Sequence, residues 1–200
     1  MRIFLGLDLR DALGPAAHGW GRAVATAIGP GDAAALSWVP AQRIHVTLHF
    51  FGDLEQEAVA GLSAVLGDAV PEAPFDLELG GGGTFPATER PRVLWLGLGA
   101  GADAVTRLHE WLAPRTAGIG EPDRHAAFSP HVTIARLRRD AGPGLGRELR
   151  EAVTRTPVPA GCARVDAITI FESVASAQGP TYLPLARLPL IAPIGPAARP

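Results

Sequence analysis

The chain has 200 residues, a formal net charge of −2, and 47% hydrophobic against 19% charged residues, which is the balance of a globular protein long enough to bury a core. That charge argues against a broad basic surface for wrapping long nucleic acid, and no apolar run is long enough to cross a bilayer. All 18 basic residues are arginine, which removes Schiff-base, nucleotidyl-lysine and P-loop-lysine chemistry. Cys162 is the single cysteine, which removes an internal disulfide and a thiolate zinc cluster and fits a reducing cytoplasm.

In chain order, the opening Arg2-Ile3-Phe4-Leu5-Gly6-Leu7 is a β-rich apolar run and not a charged-then-apolar leader, so secretion is not expected. A helix is predicted from about Asp11 to Ala27, then a strand over Ile44–Phe51. Next come a helix over Gln56–Ala69 (Val59, Leu62, Val65 and Leu66 at helical spacing) and a strand over Phe75–Leu79. Gly80–Gly83 reads as a loop. The order then repeats. Arg92-Val93-Leu94-Trp95-Leu96-Gly97 is a strand, Asp103–Arg115 a helix with Val105, Leu108, Trp111 and Leu112 inward, and Pro130–Leu137 a strand. Leu145–Thr154 is a helix (Leu145, Leu149, Val153) and Val165–Phe171 a strand. The order β-α-β-α-β therefore occurs twice, over halves of about 1–85 and 90–175. It reads as one bilobal domain over 1–188, with a closing strand at 181–188 and a Pro/Ala-rich tail at 189–200. The period is too long for a solenoid.

The middle strand of each half carries the same motif. His45-Val46-Thr47-Leu48 recurs as His131-Val132-Thr133-Ile134, 86 positions later. Side chains alternate along a strand, so each histidine shares a face with its threonine while the apolar residues turn to the core. One His-x-Thr copy reads as a half-exposed histidine in an edge strand, but two copies with repeated flanks point to a shared cleft. Two imidazoles and two hydroxyls there supply a general acid, a general base and two neutral hydrogen-bond donors. That set can break a phosphodiester with neither metal nor covalent intermediate.

Other features are weaker. Arg136, Arg138 and Arg139 come directly after the second motif. They read as a charged strand end that can also hold a phosphate of an RNA end, although strict alternation turns Arg136 away from the cleft unless the strand bends. Phe50 or Phe51 and Tyr182 can stack on a base, core packing being the commoner task of a phenylalanine. Gly97-Leu98-Gly99-Ala100-Gly101-Ala102, with Glu121 or Asp123 about 20 positions on, superficially fits a dinucleotide fingerprint, but a turn is the better reading without parallel βαβ units. His45 and His49 sit about 13 Å apart on a strand rising about 3.3 Å per residue, which disfavours a chelate. His18, His109 and His125 read as surface residues, and Ser129 lacks the glycine elbow of a serine nucleophile.

On these residues the chain resembles the two-histidine (2H) phosphoesterase superfamily, and within it the RNA 2′,3′-cyclic phosphodiesterases historically labelled 2′-5′ RNA ligases. The segments that carry the likeness are RIFLGLDL, WVPAQRIHVTLHFFGD, FDLELGGGGTFP, RVLWLGL, FSPHVTIARL and YLPLARLPL. His49 departs from the arginine or lysine usual at its place and shares a face with His45 and Thr47 by alternation, so it stands among the candidate substrate contacts. The resemblance implies an α+β fold of two pseudo-symmetric antiparallel lobes, with outer helices and a central groove. It also implies hydrolysis of a terminal 2′,3′-cyclic phosphate to a 2′-phosphate. His45 would be proton donor, His131 proton acceptor, Thr47 and Thr133 phosphate-oxygen ligands, and Arg136, Tyr182, His49 and Phe51 substrate contacts. No metal and no cofactor are implied. The implied partners are RNA ends or small cyclic nucleotides, with no membrane, and the expected form is a monomer. Alternatives are 2′-5′ RNA ligation, cleavage of 2′-5′ linked oligonucleotides, and, outside enzymes, an RNA-end or nucleotide-binding module.

Overall fold

Val46 and Val132, the apolar residues inside the two His-x-Thr motifs, face each other across an antiparallel pair of strands. This computed structural model describes residues 1–121, 128–139, 141–142, 144–177 and 179–193. In order they form β1 (Arg2–Asp8), α1 (Gly14–Ile28), α2 (Pro30–Ala33), β2 (Leu36–Trp38), a 3-10 turn (Ala41–Arg43), β3 (His45–Asp53), α3 (Gln56–Leu66), β4 (Phe75–Phe85), β5 (Val93–Leu98), α4 (Ala102–Thr116), β6 (Val132–Leu137), α5 (Leu145–Arg155), β7 (Cys162–Val165), β8 (Ala167–Val174) and β9 (Thr181–Pro189). The repeated order expected from sequence is present. The expected strand Val165–Phe171 divides at Asp166 into β7 and β8, and β2, α2 and the 3-10 turn are additions.

The strands form one antiparallel sheet in the order β7-β4-β5-β6-β3-β1-β8-β9, with β2 beside β6. A pseudo-twofold between Val46 and Val132 relates β6-β5-β4-β7 to β3-β1-β8-β9. Each half-sheet therefore draws on both halves of the sequence. β4 pairs with β5 across a short connection, as consecutive strands commonly do, and β8 returns to pair with β1. The helices cross over likewise: α1 packs on β6 and α5, while α4 packs on β3 and α3. The two lobes are thus interleaved products of both repeats and do not correspond to one repeat each.

The core tracks the apolar spacing. Leu62 and Leu66 of α3, Val105, Leu108 and Leu112 of α4, and Leu145 and Leu149 of α5 are buried against the inner faces of β1, β3, β5 and β6. Val65 is the exception and is exposed, since α3 presents only the narrower Val59–Leu62–Leu66 stripe.

Gly80–Gly83 does not form a loop but lies within β4. A β-carbon on Gly82 would fall 2.6 Å from the Trp20 ring of α1, and one on Gly83 would overlap the Trp95 ring of β5. Gly82 and Gly83 are glycine because the Trp20 and Trp95 indoles occupy the space their β-carbons would take. At the C-terminus, the tail expected from residue 189 is tied down through Ile191. Val70 N–H donates to the Pro189 carbonyl and Ile191 N–H to the Val70 carbonyl, both at 2.9 Å, and Leu190 is buried. Among the described residues no helix is long and apolar enough to cross a membrane.

Candidate active site

The register set by Val46 and Val132 directs His45 toward Thr133 and Thr47 toward His131. Diagonal neighbours in a regular antiparallel pair lie about 7–8 Å apart, which puts His45 and His131 on one face of adjacent strands, near enough for the charge of His131 to act on His45. Both imidazoles are oriented alike. His45 Nδ1 donates to the Arg43 carbonyl and His131 Nδ1 to the Ser129 carbonyl, each at 2.7 Å and each two residues upstream. This fixes the tautomer and makes Nε2 the proton-accepting atom of each ring. In the free protein His45 Nε2 accepts from Thr47 Oγ1 at 3.1 Å. Each ring also has an aromatic wall. Phe4 and Tyr182 lie 5.1 and 4.8 Å from His45, and Phe85 and Trp95 lie 5.0 and 6.4 Å from His131.

Matching β-bulges shape the strand beyond each motif. Leu48 is unopposed in the β1–β3 ladder, and Ile134, its equivalent 86 positions later, is unopposed in the β5–β6 ladder. A bulge shifts the side-chain phase by one. The carbonyls it releases are satisfied from outside the ladder: His109 Nδ1 donates to the Leu48 carbonyl at 2.9 Å, and Val39 N–H donates to the Ile134 carbonyl at 2.8 Å. The phase shift brings Arg136 into the cleft, meeting the condition that the strand bend. By the same shift Phe50, its pseudo-symmetric counterpart, enters the cleft, and His49 falls opposite the fully buried Leu5.

The cleft has a volume of about 510 Å³, and its walls include Arg2, Phe4, His45, Thr47, Phe50, Arg136 and Tyr182. Its outer wall is the segment before β9, whose Pro180 carbonyl accepts from the Arg43 guanidinium at 2.9 Å. Arg43 thus holds His45 by its backbone and the cleft wall by its side chain. Burial pushes the His45 imidazole down to about 4 from its ordinary 6.5. The hydrogen bond to the Arg43 carbonyl opposes this, the charges of Arg136 and His131 add to it, and Asp8 opposes it.

Two of the sequence candidates are displaced. Phe51 is fully buried in the core and is not a substrate contact; it is itself unopposed in the β1–β3 ladder, a second bulge that separates it from Phe50. His49 does not share the face of His45 and Thr47. Its ring packs on Phe51 at 4.5 Å between centroids. His109 is no surface residue either, being stacked on Phe128 at 3.9 Å and bonded to β3. His18 is half-buried beside Trp38 and Ile134, and His125 and Asp123 lie outside the described residues. Gly97–Ala102 is a turn from β5 into α4 whose backbone bonds to β4 through Glu78. β5 is antiparallel to both neighbours, unlike the parallel unit of a dinucleotide fold. Sequence reasoning missed Arg2, Phe4, Phe85, Trp95 and Arg43. The 86-residue repeat, carried three positions beyond Thr47 and Thr133, was a signal available for choosing Phe50. Among the described residues no group of three or more His, Cys, Asp or Glu is placed to hold a metal ion.

Known proteins share both sequence and architecture. The family description of the 2′-5′ RNA ligase superfamily matches residues 15–176. An RNA 2′,3′-cyclic phosphodiesterase of Aquifex aeolicus is 35% identical over 147 residues, 72% of this chain and 77% of that protein. One of Aeropyrum pernix is 33% identical over 142 residues, 70% and 78% of the two chains. A crystal structure from Thermus thermophilus superposes with a TM-score of 0.72 at 27% identity, covering 96% of this chain and 99% of that one. E. coli LigT in its apo form gives 0.70 at 25% identity, covering 94% and 96%. With its paired His-x-Thr strands carried on that shared architecture, the chain belongs to the 2′-5′ RNA ligase superfamily.

Proposed function

We propose that this chain hydrolyses RNA ends bearing a 2′,3′-cyclic phosphate to a terminal 2′-phosphate, by acid–base catalysis from His45 and His131 without a metal. The residues to about 191 would act as one bilobal domain. The observation that carries the reading is the like tethering of two imidazoles through Nδ1 on pseudo-symmetric strands, beside relatives named for that activity. In this scheme His131 Nε2 takes a proton from water as the oxygen attacks phosphorus in line. The P–O3′ bond breaks, and His45 Nε2 delivers a proton to the leaving 3′ oxygen. Thr47 and Thr133 donate to the non-bridging oxygens, where negative charge accumulates, while Arg136 and Arg2 draw the phosphate in and Phe50 or Tyr182 carries the base. Incubation of an RNA ending in a 2′,3′-cyclic phosphate with excess EDTA, followed by product mapping, tests it. A 2′-phosphate is expected, and activity that returned only with a divalent metal would overturn the mechanism.

The depressed pKa of His45 favours a second reading in which the roles are exchanged. An imidazole that is neutral near pH 7 is prepared to accept a proton, and serves as donor only once the bound phosphate raises its affinity for one. Substituting sulfur for the bridging 3′ oxygen separates the two, because a thiolate leaves without a proton. The sulfur substrate restores turnover to whichever histidine variant has lost the donor.

A further inference from the structure

The two histidine tethers are alike in backbone and different in side chain. Each Nδ1 donates to the carbonyl two residues upstream, which belongs to Arg43 in one motif and to Ser129 in the other. Those two positions are equivalent in the 86-residue repeat, so a long guanidinium side chain stands on the His45 side and a short hydroxyl on the His131 side. The base of Arg43 is firm. Arg43 N–H donates to the Pro40 carbonyl at 2.9 Å and Ile44 N–H to the Ala41 carbonyl at 3.2 Å, which closes the 3-10 turn. The start of α1 packs close on that turn, since a β-carbon on Gly14 would fall 2.5 Å from the Ala41 carbonyl oxygen.

From that base Arg43 Nη1 donates to the Pro180 carbonyl at 2.9 Å, 137 positions away. Pro180 immediately precedes β9. Two residues on, the Tyr182 ring meets the His45 imidazole edge-on at 4.8 Å. Phe4 of β1 touches both, 5.1 Å from His45 and 5.0 Å from Tyr182. The contacts close a ring: imidazole to the Arg43 carbonyl, Arg43 guanidinium to Pro180, and Tyr182 back to the imidazole. Gly179, at φ +83° beyond planar reach of an L side chain's usual range, is replaced by no larger residue because a β-carbon there would lie 2.5 Å from Arg43 Nη1. β9 is the outermost strand of its half-sheet; its far end is tied through the Pro189 carbonyl to Val70 N–H, and its near end by Arg43. We propose that Arg43 is a positioning residue for His45, its side chain bracing the start of β9 so that Tyr182 stays against the imidazole and keeps water from that face. This rests on the function proposed above and adds to it a residue that acts through Tyr182.

Burial is the largest cause of the low pKa of His45, so loss of the brace is read at that ring. Asp8 of β1, Arg136 of β6 and His131 act on it by charge, Tyr182 of β9 faces it, and all are retained when position 43 changes. In an NMR pH series, Arg43→Met should raise the His45 midpoint from about 4 by about one pH unit as water reaches the ring. Arg43→Lys, which keeps a charge and a donor, should restore it. Gly179→Ala, which keeps the guanidinium and displaces it from Pro180, should raise the midpoint as well. With Tyr182→Ala already in place, Arg43→Met should add little, since the two act in one chain of contacts. On an RNA ending in a 2′,3′-cyclic phosphate, Arg43→Met should lower kcat about tenfold and leave KM within about threefold. An unchanged midpoint overturns the bracing, as does a rise that Gly179→Ala does not share, which is the loss of a charge alone. A full Arg43→Met effect in the Tyr182→Ala background overturns it too, and a raised KM at unchanged kcat makes Arg43 a substrate contact instead. The titration needs no turnover, so a wild type inactive on that RNA defeats the proposed reaction while the midpoint still decides the bracing. If Arg43→Met does not fold, Gly179→Ala with and without Tyr182→Ala carries the comparison.

Discussion

Arg136 of β6 lies along the same cleft as His45 of β3, and its positive charge opposes protonation of that imidazole. The residue proposed to draw in the phosphate also tunes the histidine that lines the same cleft.

The free protein should show His45, lowered mainly by burial and further by Arg136, titrating near 4 in an NMR pH series. Arg136→Ala should move that midpoint upward by removing a like charge, and a bound 2′-phosphate nucleotide should move it further by adding an opposite one. A His45 midpoint near the ordinary 6.5 that ignores both changes would separate the two residues.

The same shift has a consequence for stability. The folded state holds His45 less basic than the unfolded chain does, so its contribution is complete above pH 6.5 and is lost as pH falls toward 4. The loss is about 3 kcal/mol over that window, at about 1.36 kcal/mol per unit. Urea unfolding at several pH values should show this decline in wild type and a flatter profile in His45→Gln.

Turnover should separate the site residues by role. His45→Ala and His131→Ala each should lower kcat by about 10²–10⁴, with the double variant little worse than the worse single. Thr47→Ala or Thr133→Ala should cost about 10²–10³. A histidine variant retaining near-wild-type kcat would show that only one imidazole takes part.

Adjacent phenylalanines should behave oppositely. Phe50→Ala should raise KM for an RNA substrate with little effect on unfolding, because Phe50 is exposed along the cleft. Phe51→Ala should destabilise by about 3–5 kcal/mol, the usual loss for a buried aromatic. Chemical denaturation beside steady-state kinetics decides, and a KM effect confined to Phe51→Ala would contradict the bulge.

His109 should act at a distance. His109→Ala leaves the Leu48 carbonyl without its donor, for about 1–3 kcal/mol of lost stability. Because that carbonyl belongs to the bulge, Phe50 resonances should shift as well. Unchanged stability would mean that water replaces the imidazole at no loss.

The paired motifs, the repeated element order and the antiparallel α+β architecture were legible because each rests on periodicity, which a sequence states directly. Phe51 and His49 were misplaced because a bulge is a one-residue slip between two strands, and neither strand records it alone. The glycine run misled for a related reason: its function depends on Trp20 and Trp95, far away in sequence. The strand exchange between halves was invisible for the same cause, since pairing partners are a property of the assembled sheet.

The interleaving of the two repeats bears on how the chain can be divided. A break in the turn between β4 and β5 yields two pieces that carry strands of each other's half-sheet, β4 in the first and β8 and β9 in the second. The first piece holds β1 and β3 without β8, and the second holds β5 and β6 without β4. Neither has a sheet it can complete, so folding of either fragment is expected to require the other. That makes this turn, distant in sequence from either histidine, a natural place to build a split reporter.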